Sequence, residues 1–190
     1  FHAIGDRAVR EFLDSLERLK AERRGFQLPR PRLEHAQLID PADIPRLARL
    51  GVVVSAQPGA LDTPEKDAGL LGAERAARAY PYRALLDAGV ALAFGSDMPG
   101  ESGYNPLHGI HSAVNRPGPS RHITPLEALS AYTLGSAYAE FQEGEKGSIV
   151  PGKLADLAVL SADPVAVPLE QIRGIDVEMT MVGGKVVFEK

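Results

Sequence analysis

The chain has 190 residues, of which 44% are hydrophobic and 24% charged, a composition typical of a globular domain. Its formal net charge of -4 argues against a nucleic-acid partner and against attraction to anionic membranes. No apolar stretch approaches the roughly 18 residues that a membrane helix needs, and the absence of cysteine excludes disulfides and thiolate metal ligands.

Strands and helices alternate along the first part of the chain. Short β-branched or apolar runs predict strands, and apolar residues at helical spacing predict helices. In chain order we expect a strand cut short at His2, a helix at 4–24, a strand at 32–36, a helix at 41–50, a strand at 52–55, a loop at 57–72, a helix at 74–88 that Pro81 interrupts, a strand at 90–95, and helices at 106–115 and 124–139. This order predicts parallel strands joined by helical crossovers.

Short motifs predict where individual helices begin and end. Asp40 before Pro41 is a typical helix cap, and Gly51 is a typical stop. Thr124 and Glu127 have the spacing of a capping box.

The number of strand–helix units bears on the fold class. About four units fit into roughly 140 residues, whereas a complete eight-unit barrel needs about 250 residues. The sequence therefore predicts an α/β fold. If this fold is a barrel, the chain is half of one, and a flavodoxin-like open sheet is the structural alternative.

The pattern of residue types changes after residue 143. Glycines punctuate this tail, 154–160 is strand-like, and the apolar runs 179–182 and 185–188 flank Gly183–Gly184. A two-residue connection of this kind predicts a hairpin. We therefore expect a division into 1–143 and a small β segment at 144–190. Because an isolated hairpin is marginal in water, that segment should pair with strands absent from this chain.

Three residues with metal-binding chemistry are predicted at the carboxyl ends of parallel strands, where reactive groups of barrels cluster. They are His2, His35 and Asp97. Two imidazoles and a carboxylate suit Zn²⁺, and a carboxylate beside a metal-bound water can act as a general base. Each residue also has a simpler interpretation, as a hydrogen-bonded histidine or a turn-capping aspartate.

The residues around these positions resemble a known superfamily. Residues 2–8 (HAIGDRA), 32–37 (RLEHAQ) and 95–99 (GSDMP) are similar to the amidohydrolase superfamily, and most of all to its amidohydrolase family 3 branch of N-substituted formamide deformylase-like proteins. Residues 147–160 and 180–187 resemble the return of the superfamily's chain into its β-sandwich domain. The resemblance implies the C-terminal half of a (β/α)₈ TIM-like barrel, followed by a small β-sandwich segment.

The resemblance also implies roles for the three residues. His2 and His35 match the metal-binding histidines of the fifth and sixth barrel strands, and Asp97 matches the aspartate of the eighth strand, a metal ligand and proton shuttle. The implied cofactor is a divalent metal, one or two Zn²⁺ ions. The implied reaction is hydrolysis of amide-type C–N bonds other than peptide bonds by a metal-bound hydroxide, with Asp97 moving the proton.

Two features of the family's site have no counterpart here. The family carries a His-x-His pair on its first strand and, in many members, a carboxylated lysine on its fourth, and this chain has no His-x-His. We therefore expect the isolated chain to be inactive and to be part of a longer protein. The alternative is a catalytically incomplete fragment or degenerate half-barrel that acts only through assembly. A third possibility, an open-sheet binding module, lacks the glycine-rich phosphate turn that it should have.

Three further residues are weaker candidates for the predicted site. Gln57, His108 and His111 are candidate substrate-binding residues, although an ordinary polar position is the simpler interpretation of each. The expected partners are a small-molecule amide-type substrate and either the missing N-terminal half or a second copy of the chain. Neither a nucleic acid nor a membrane is expected, and the predicted localisation is cytoplasmic.

Overall fold

Two sheets organise the protein. The computed structural model describes residues 1–23, 25, 29–59, 64–100, 103–116 and 122–190. Within them, a parallel sheet has the order β1-β2-β3-β4 and an antiparallel sheet the order β5-β6-β7. The strands are β1 His2–Ala3, β2 Arg32–His35, β3 Val53–Ala56, β4 Ala91–Phe94, β5 Leu157–Leu160, β6 Val177–Val182 and β7 Lys185–Glu189. The predicted α/β class and the parallel strands are confirmed.

Helices connect the strands of the parallel sheet and follow its last strand. They are α1 Asp6–Glu22, α2 Ile44–Leu50, α3 Pro64–Leu71, α4 Ala73–Ala76, α5 Tyr82–Asp87, α6 Pro106–Val114, α7 Pro125–Ser130 and α8 Ser136–Ala139. A 3-10 turn, Pro41–Asp43, leads into α2, a π-helical turn, Ala131–Gly135, joins α7 to α8, and a 3-10 helix, Leu169–Gly174, precedes β6. None of the helices in the described ranges is both long and apolar enough to cross a membrane.

The order of the parallel strands follows the order of the chain. His2 pairs with Glu34 of β2, Glu34 with Ser55 of β3, and Ser55 with Ala93 of β4. A flavodoxin-like sheet would instead reverse direction at a switch point, with the order 2-1-3-4-5. The described strands show no such reversal, so their order differs from that of the flavodoxin-like alternative.

The first helix, Asp6–Glu22, is shorter than the range 4–24 that its apolar pattern predicts. Ile4 is 44% exposed and lies before the helix, whose cap is the extended residue Gly5. Asp6 lies in the first turn, where its carboxylate interacts favourably with the positive end of the helix dipole. It also accepts two hydrogen bonds from Arg75. The helix ends at Glu22, and Arg24, the predicted end, lies outside the described residues.

Two predictions between β3 and β4 need correction. The predicted loop 57–72 contains a helix, α3, that its mixed composition concealed, while residues 60–63 lie outside the described ranges. The predicted helix 74–88 is two short helices, α4 and α5. Pro81 caps α5, and Tyr80 before it has a left-handed φ of 52°, which no helix accommodates.

The helix caps follow the predicted chemistry. Asp40 accepts a hydrogen bond from the Ala42 backbone N–H at 3.0 Å, and Gly51 ends α2 with a left-handed φ of 67°. Thr124 and Glu127 form the complete capping box. These three predictions are confirmed.

One apolar core extends from the parallel sheet into the tail. Val9 and Leu13 of α1 are fully buried and belong to the same cluster as Leu33 of β2. Ile172 and Ile175, which precede β6, are buried in that cluster too. Packing thus fixes the tail against the first part of the chain, and the domain division at residue 143 stays a prediction. The predicted hairpin is confirmed, because Gly183 and Gly184 connect β6 to β7 with φ values of 57° and 78°.

A network of charges fastens α2 to α1. The Arg46 guanidinium lies 2.6 Å from Asp14, 2.7 Å from Glu17 and 2.8 Å from Asp43, whose side chain is only 2% exposed. The hydrogen bond from Arg46 is the main cause that lowers the pKa of Glu17 below its usual 4.5. Burial opposes this shift, and a hydrogen bond from Arg49 adds to it. A carboxylate with a lowered pKa stabilises the fold above pH 4.5, and the contribution disappears as the pH falls through the folded-state pKa.

Replacing Arg46 should therefore cost stability in a pH-dependent way. We expect Arg46→Met to lower the free energy of unfolding at pH 7 by about 1–3 kcal/mol, since it removes charge-assisted hydrogen bonds that include one to a buried carboxylate. Below pH 4.5 the difference from the unmodified chain should shrink, as Glu17 becomes protonated. Urea unfolding across this pH range measures both effects. Arg18→Met, at an exposed position of α1, is the matched control, and an equal loss in that variant would contradict the assignment.

Candidate functional site

Two histidines meet at the carboxyl ends of β1 and β2. The ring centroids of His2 and His35 lie 4.5 Å apart with an interplanar angle of 72°, an edge-to-face contact. His35 is 8% exposed, whereas His2 is exposed. The parallel register pairs His2 with Glu34 and Ala3 with His35, so the two histidines lie one position apart on adjacent strands. The chain then turns sharply, because His35 and Ala36 both have positive φ, and the Ala36 N–H donates to the Ala3 carbonyl.

A buried glutamine contacts the second histidine. His35 Nδ1 and Gln57 Oε1 lie 2.8 Å apart, and Gln57 Nε2 donates to the Ser55 carbonyl at 3.3 Å. Gln57 is only 6% exposed and directly follows β3, the strand beside β2. Both ends of the amide are thus engaged within the protein, and its predicted part in binding substrate stays a prediction.

Asp97 lies on an exposed turn beyond β4. Its φ is 54°, and its backbone carbonyl accepts a hydrogen bond from the Gly100 N–H across a turn that contains the cis Met98–Pro99 bond. Across the described ranges, no group of three or more His, Asp or Glu side chains is close enough to hold a metal ion. The structure therefore brings His2 and His35 together but does not add Asp97 to them as a third ligand.

The two other predicted histidines lie on α6. His108 and His111 occupy the first two turns of this helix and are partly buried. Asn105 caps the helix by accepting from the Leu107 N–H at 2.9 Å. The helix packs on α7 and on the 3-10 helix 169–174. A role of either histidine in binding substrate stays a prediction.

An aromatic cluster lies at the end of β4. Tyr82 and Tyr132 flank Phe94, with ring centroids 5.0 and 5.4 Å from it. Tyr80 contacts Tyr82 edge-on, and the buried Arg116 guanidinium lies 4.3 Å from the Tyr80 ring. Desolvation raises the pKa of Tyr82 well above its usual value of 10, so the phenol stays neutral. Arg116 and Tyr80 are parts of this packing.

The imidazoles of His2 and His35 have the chemistry of metal ligands. Imidazoles are common ligands of Zn²⁺ and similar ions. A ligating histidine almost always has its other ring nitrogen hydrogen-bonded to an oxygen of the protein, as His35 does through Gln57. His2 and His35 therefore fit a divalent ion, although two imidazoles do not complete a tetrahedral site.

Comparison with known proteins identifies the family. Residues 1–188 match the sequence profile described as "Amidohydrolase family". The chain belongs to this family. The amidohydrolase chain is 35% identical, over its full length, to YtcJ of Bacillus subtilis (strain 168), whose name assigns it to the amidohydrolases. It is 31% identical, again over its full length, to the N-substituted formamide deformylase of Arthrobacter pascens.

Solved structures agree with the family. A metal-dependent hydrolase from Pyrococcus horikoshii OT3 matches 89% of the amidohydrolase chain with a TM-score of 0.74 and 29% identity, over 35% of its own length. A variant of atrazine chlorohydrolase TrzN from Arthrobacter aurescens TC1, in complex with zinc and atraton, matches 83% with a TM-score of 0.63 and 25% identity, over 36% of its own length.

The amidohydrolase chain is short beside these proteins. It spans 37% of the length of YtcJ and 36% of the length of the formamide deformylase.

Proposed function

We propose that this chain carries part of the active site of a metal-dependent amidohydrolase, which hydrolyses amide-type C–N bonds other than peptide bonds in a small molecule. The observation that carries the proposal is the contact of His2 and His35 at the ends of adjacent parallel strands. In parallel α/β barrels, side chains at this end of the strands form the active site. The similarity to a formamide deformylase supports the reaction class.

The architecture supports the same proposal. We infer that β1–β4 are the C-terminal half of a (β/α)₈ barrel and that β5–β7 belong to a β-sandwich. The parallel strands are neighbours in chain order, as they are around a barrel. The antiparallel sheet leaves apolar side chains exposed, among them Val159, Val182 and Phe188, which a sandwich would cover with further strands.

Each residue of the site has a proposed task. His2 and His35 hold a divalent ion, which we propose to be Zn²⁺, one or two per site. When bound, the ion supplies Lewis acidity, which polarises the substrate carbonyl and makes water more acidic. Asp97 accepts the proton of the attacking water and delivers it to the leaving nitrogen, which departs only after protonation. The exposed position of Asp97 leaves its carboxylate open for this exchange.

A second candidate function is assembly without catalysis by this chain alone. The absence of a three-ligand group from the described residues favours it. In this case the partner is the N-terminal part of a longer protein or a second copy of the chain. The 190-residue chain should then bind zinc weakly at neutral pH, whereas tight stoichiometric zinc in the chain alone would contradict this candidate.

The hydrolase proposal is tested on the full-length protein loaded with zinc. We expect hydrolysis of N-substituted formamides or related small amides, no cleavage of peptides, loss of activity on removal of the metal by a chelator, and recovery when Zn²⁺ is returned. Turnover that survives complete metal removal would overturn the proposed mechanism. A zinc-loaded protein that cleaves no small amide would overturn the reaction class.

A further inference from the structure

We propose that Gln57 is a positioning residue that holds His35 in the tautomer with its hydrogen on Nδ1 and so presents the Nε2 electron pair to the divalent ion. The part that concerns the ion rests on the proposed function. The part that concerns the tautomer rests only on the contacts among Ser55, Gln57 and His35.

The Ser55 carbonyl determines how the Gln57 amide is oriented. A backbone carbonyl oxygen only accepts hydrogen bonds, and of the two amide atoms only Nε2 can donate. Nε2 therefore faces the Ser55 oxygen, at 3.3 Å. The reversed amide would place two acceptor oxygens against each other, which is unfavourable away from water. Oε1 must consequently be the atom that faces His35.

The orientation of the amide then determines the tautomer of His35. Gln57 Oε1 accepts but cannot donate, and it lies 2.8 Å from His35 Nδ1. The hydrogen must therefore reside on Nδ1, and in the neutral ring Nε2 keeps its electron pair. Water offers little competition, because the two residues are only 8% and 6% exposed.

The surrounding structure keeps this arrangement rigid. Ser55 belongs to β3 and is paired with Glu34, the residue that precedes His35 in β2. Gln57 therefore joins two neighbouring strands through its side chain. The His2 ring packs against the His35 ring at 72°, which restricts rotation of the His35 ring. The inference thus gives Gln57 a role in the site without contact to substrate.

The tautomer is measured directly by nitrogen-15 NMR of the full-length protein labelled on histidine and freed of metal. A two-bond proton–nitrogen spectrum distinguishes a protonated from an unprotonated ring nitrogen at about pH 8, where an ordinary histidine is neutral. A His35→Asn variant assigns the signals. We expect Nδ1 to be protonated in the unmodified protein. We expect a mixture of tautomers in Gln57→Met, which keeps the length of the side chain but not the acceptor.

The outcomes are decisive even if Gln57→Met fails to fold. A hydrogen on Nε2 of His35 in the unmodified protein would overturn the inference by itself. A folded Gln57→Met with an unchanged tautomer would overturn it too.

Zinc affinity tests the part of the inference that concerns the ion. By competition with a chromogenic chelator, Gln57→Met should bind Zn²⁺ about 10–100-fold more weakly than the unmodified protein, as is usual when the hydrogen-bond partner of a ligating histidine is removed. Equal affinities in the unmodified protein and Gln57→Met would overturn this part. An unmodified protein that binds no zinc would overturn the proposed function, and the NMR spectra would still decide the tautomer.

Discussion

His35→Ala should lower amide turnover by the full-length protein about 10³-fold or more, while the fold survives. The variant removes one of the two adjacent imidazoles, and Lewis-acid catalysis is worth several kcal/mol, with each 1.36 kcal/mol equal to a factor of ten in rate. Steady-state kinetics at saturating substrate measure the loss, and circular dichroism confirms the fold. The matched control is His122→Ala at an exposed loop position, which should leave turnover unchanged.

Asp97→Asn tests the proton-transfer role with little change of shape. The amide cannot accept the water's proton, so we expect turnover to fall by about 10²–10⁴-fold, the range of general acid–base catalysis. The exposed turn should tolerate the change, and thermal unfolding should stay the same. Turnover that persists in either His35→Ala or Asp97→Asn would show that the assigned roles are wrong.

Gly135→Ala should destabilise the 190-residue chain by about 1–3 kcal/mol, the usual cost of overpacking. A methyl group at Gly135 would lie 2.2 Å from the Leu92 carbonyl oxygen, a backbone atom that cannot move without distorting β4. The close approach arises because the π-helical turn packs against β4, where Ser136 Oγ also donates to the Phe94 carbonyl at 2.8 Å. For a chain of this size the melting temperature should fall by about 2–4 °C per kcal/mol.

Gly69→Ala is the control for this prediction. Gly69 lies in α3 and has nothing within 4 Å of an added methyl group. Alanine is the better helix former, so this variant should be stabilised by up to about 1 kcal/mol. Differential scanning calorimetry of both variants makes the comparison, and a Gly135→Ala chain as stable as Gly69→Ala would refute the close contact.

The sequence predicted the parallel sheet well because its signals are local. Apolar runs such as 52–55, followed or preceded by glycine, are typical of buried strands, and neighbouring strand ends must meet at one edge of the sheet. That rule predicts that His2 and His35 lie near each other at this edge, and their rings are in contact there. The capping box at Thr124 was equally predictable, because its two residues are only three positions apart in the sequence.

The remaining features depend on contacts between distant residues. Gln57 is an ordinary polar residue in the sequence, and its task emerges only when β3 lies beside β2. The cluster of Tyr80, Tyr82 and Arg116 likewise has no periodic spacing that would predict it. Asp97 illustrates the reverse case, because the family resemblance predicts its role while the described residues do not place it in a three-ligand group with His2 and His35.

The central claim is that His2 and His35 bind a catalytic divalent ion in the full-length protein. The most direct measurement is anomalous diffraction at the zinc absorption edge from crystals of that protein grown with Zn²⁺. We expect a peak about 2.0–2.1 Å from Nε2 of His35, with a ring nitrogen of His2 as a second ligand. A fully occupied zinc peak elsewhere in the molecule, with neither imidazole coordinated, would contradict the account.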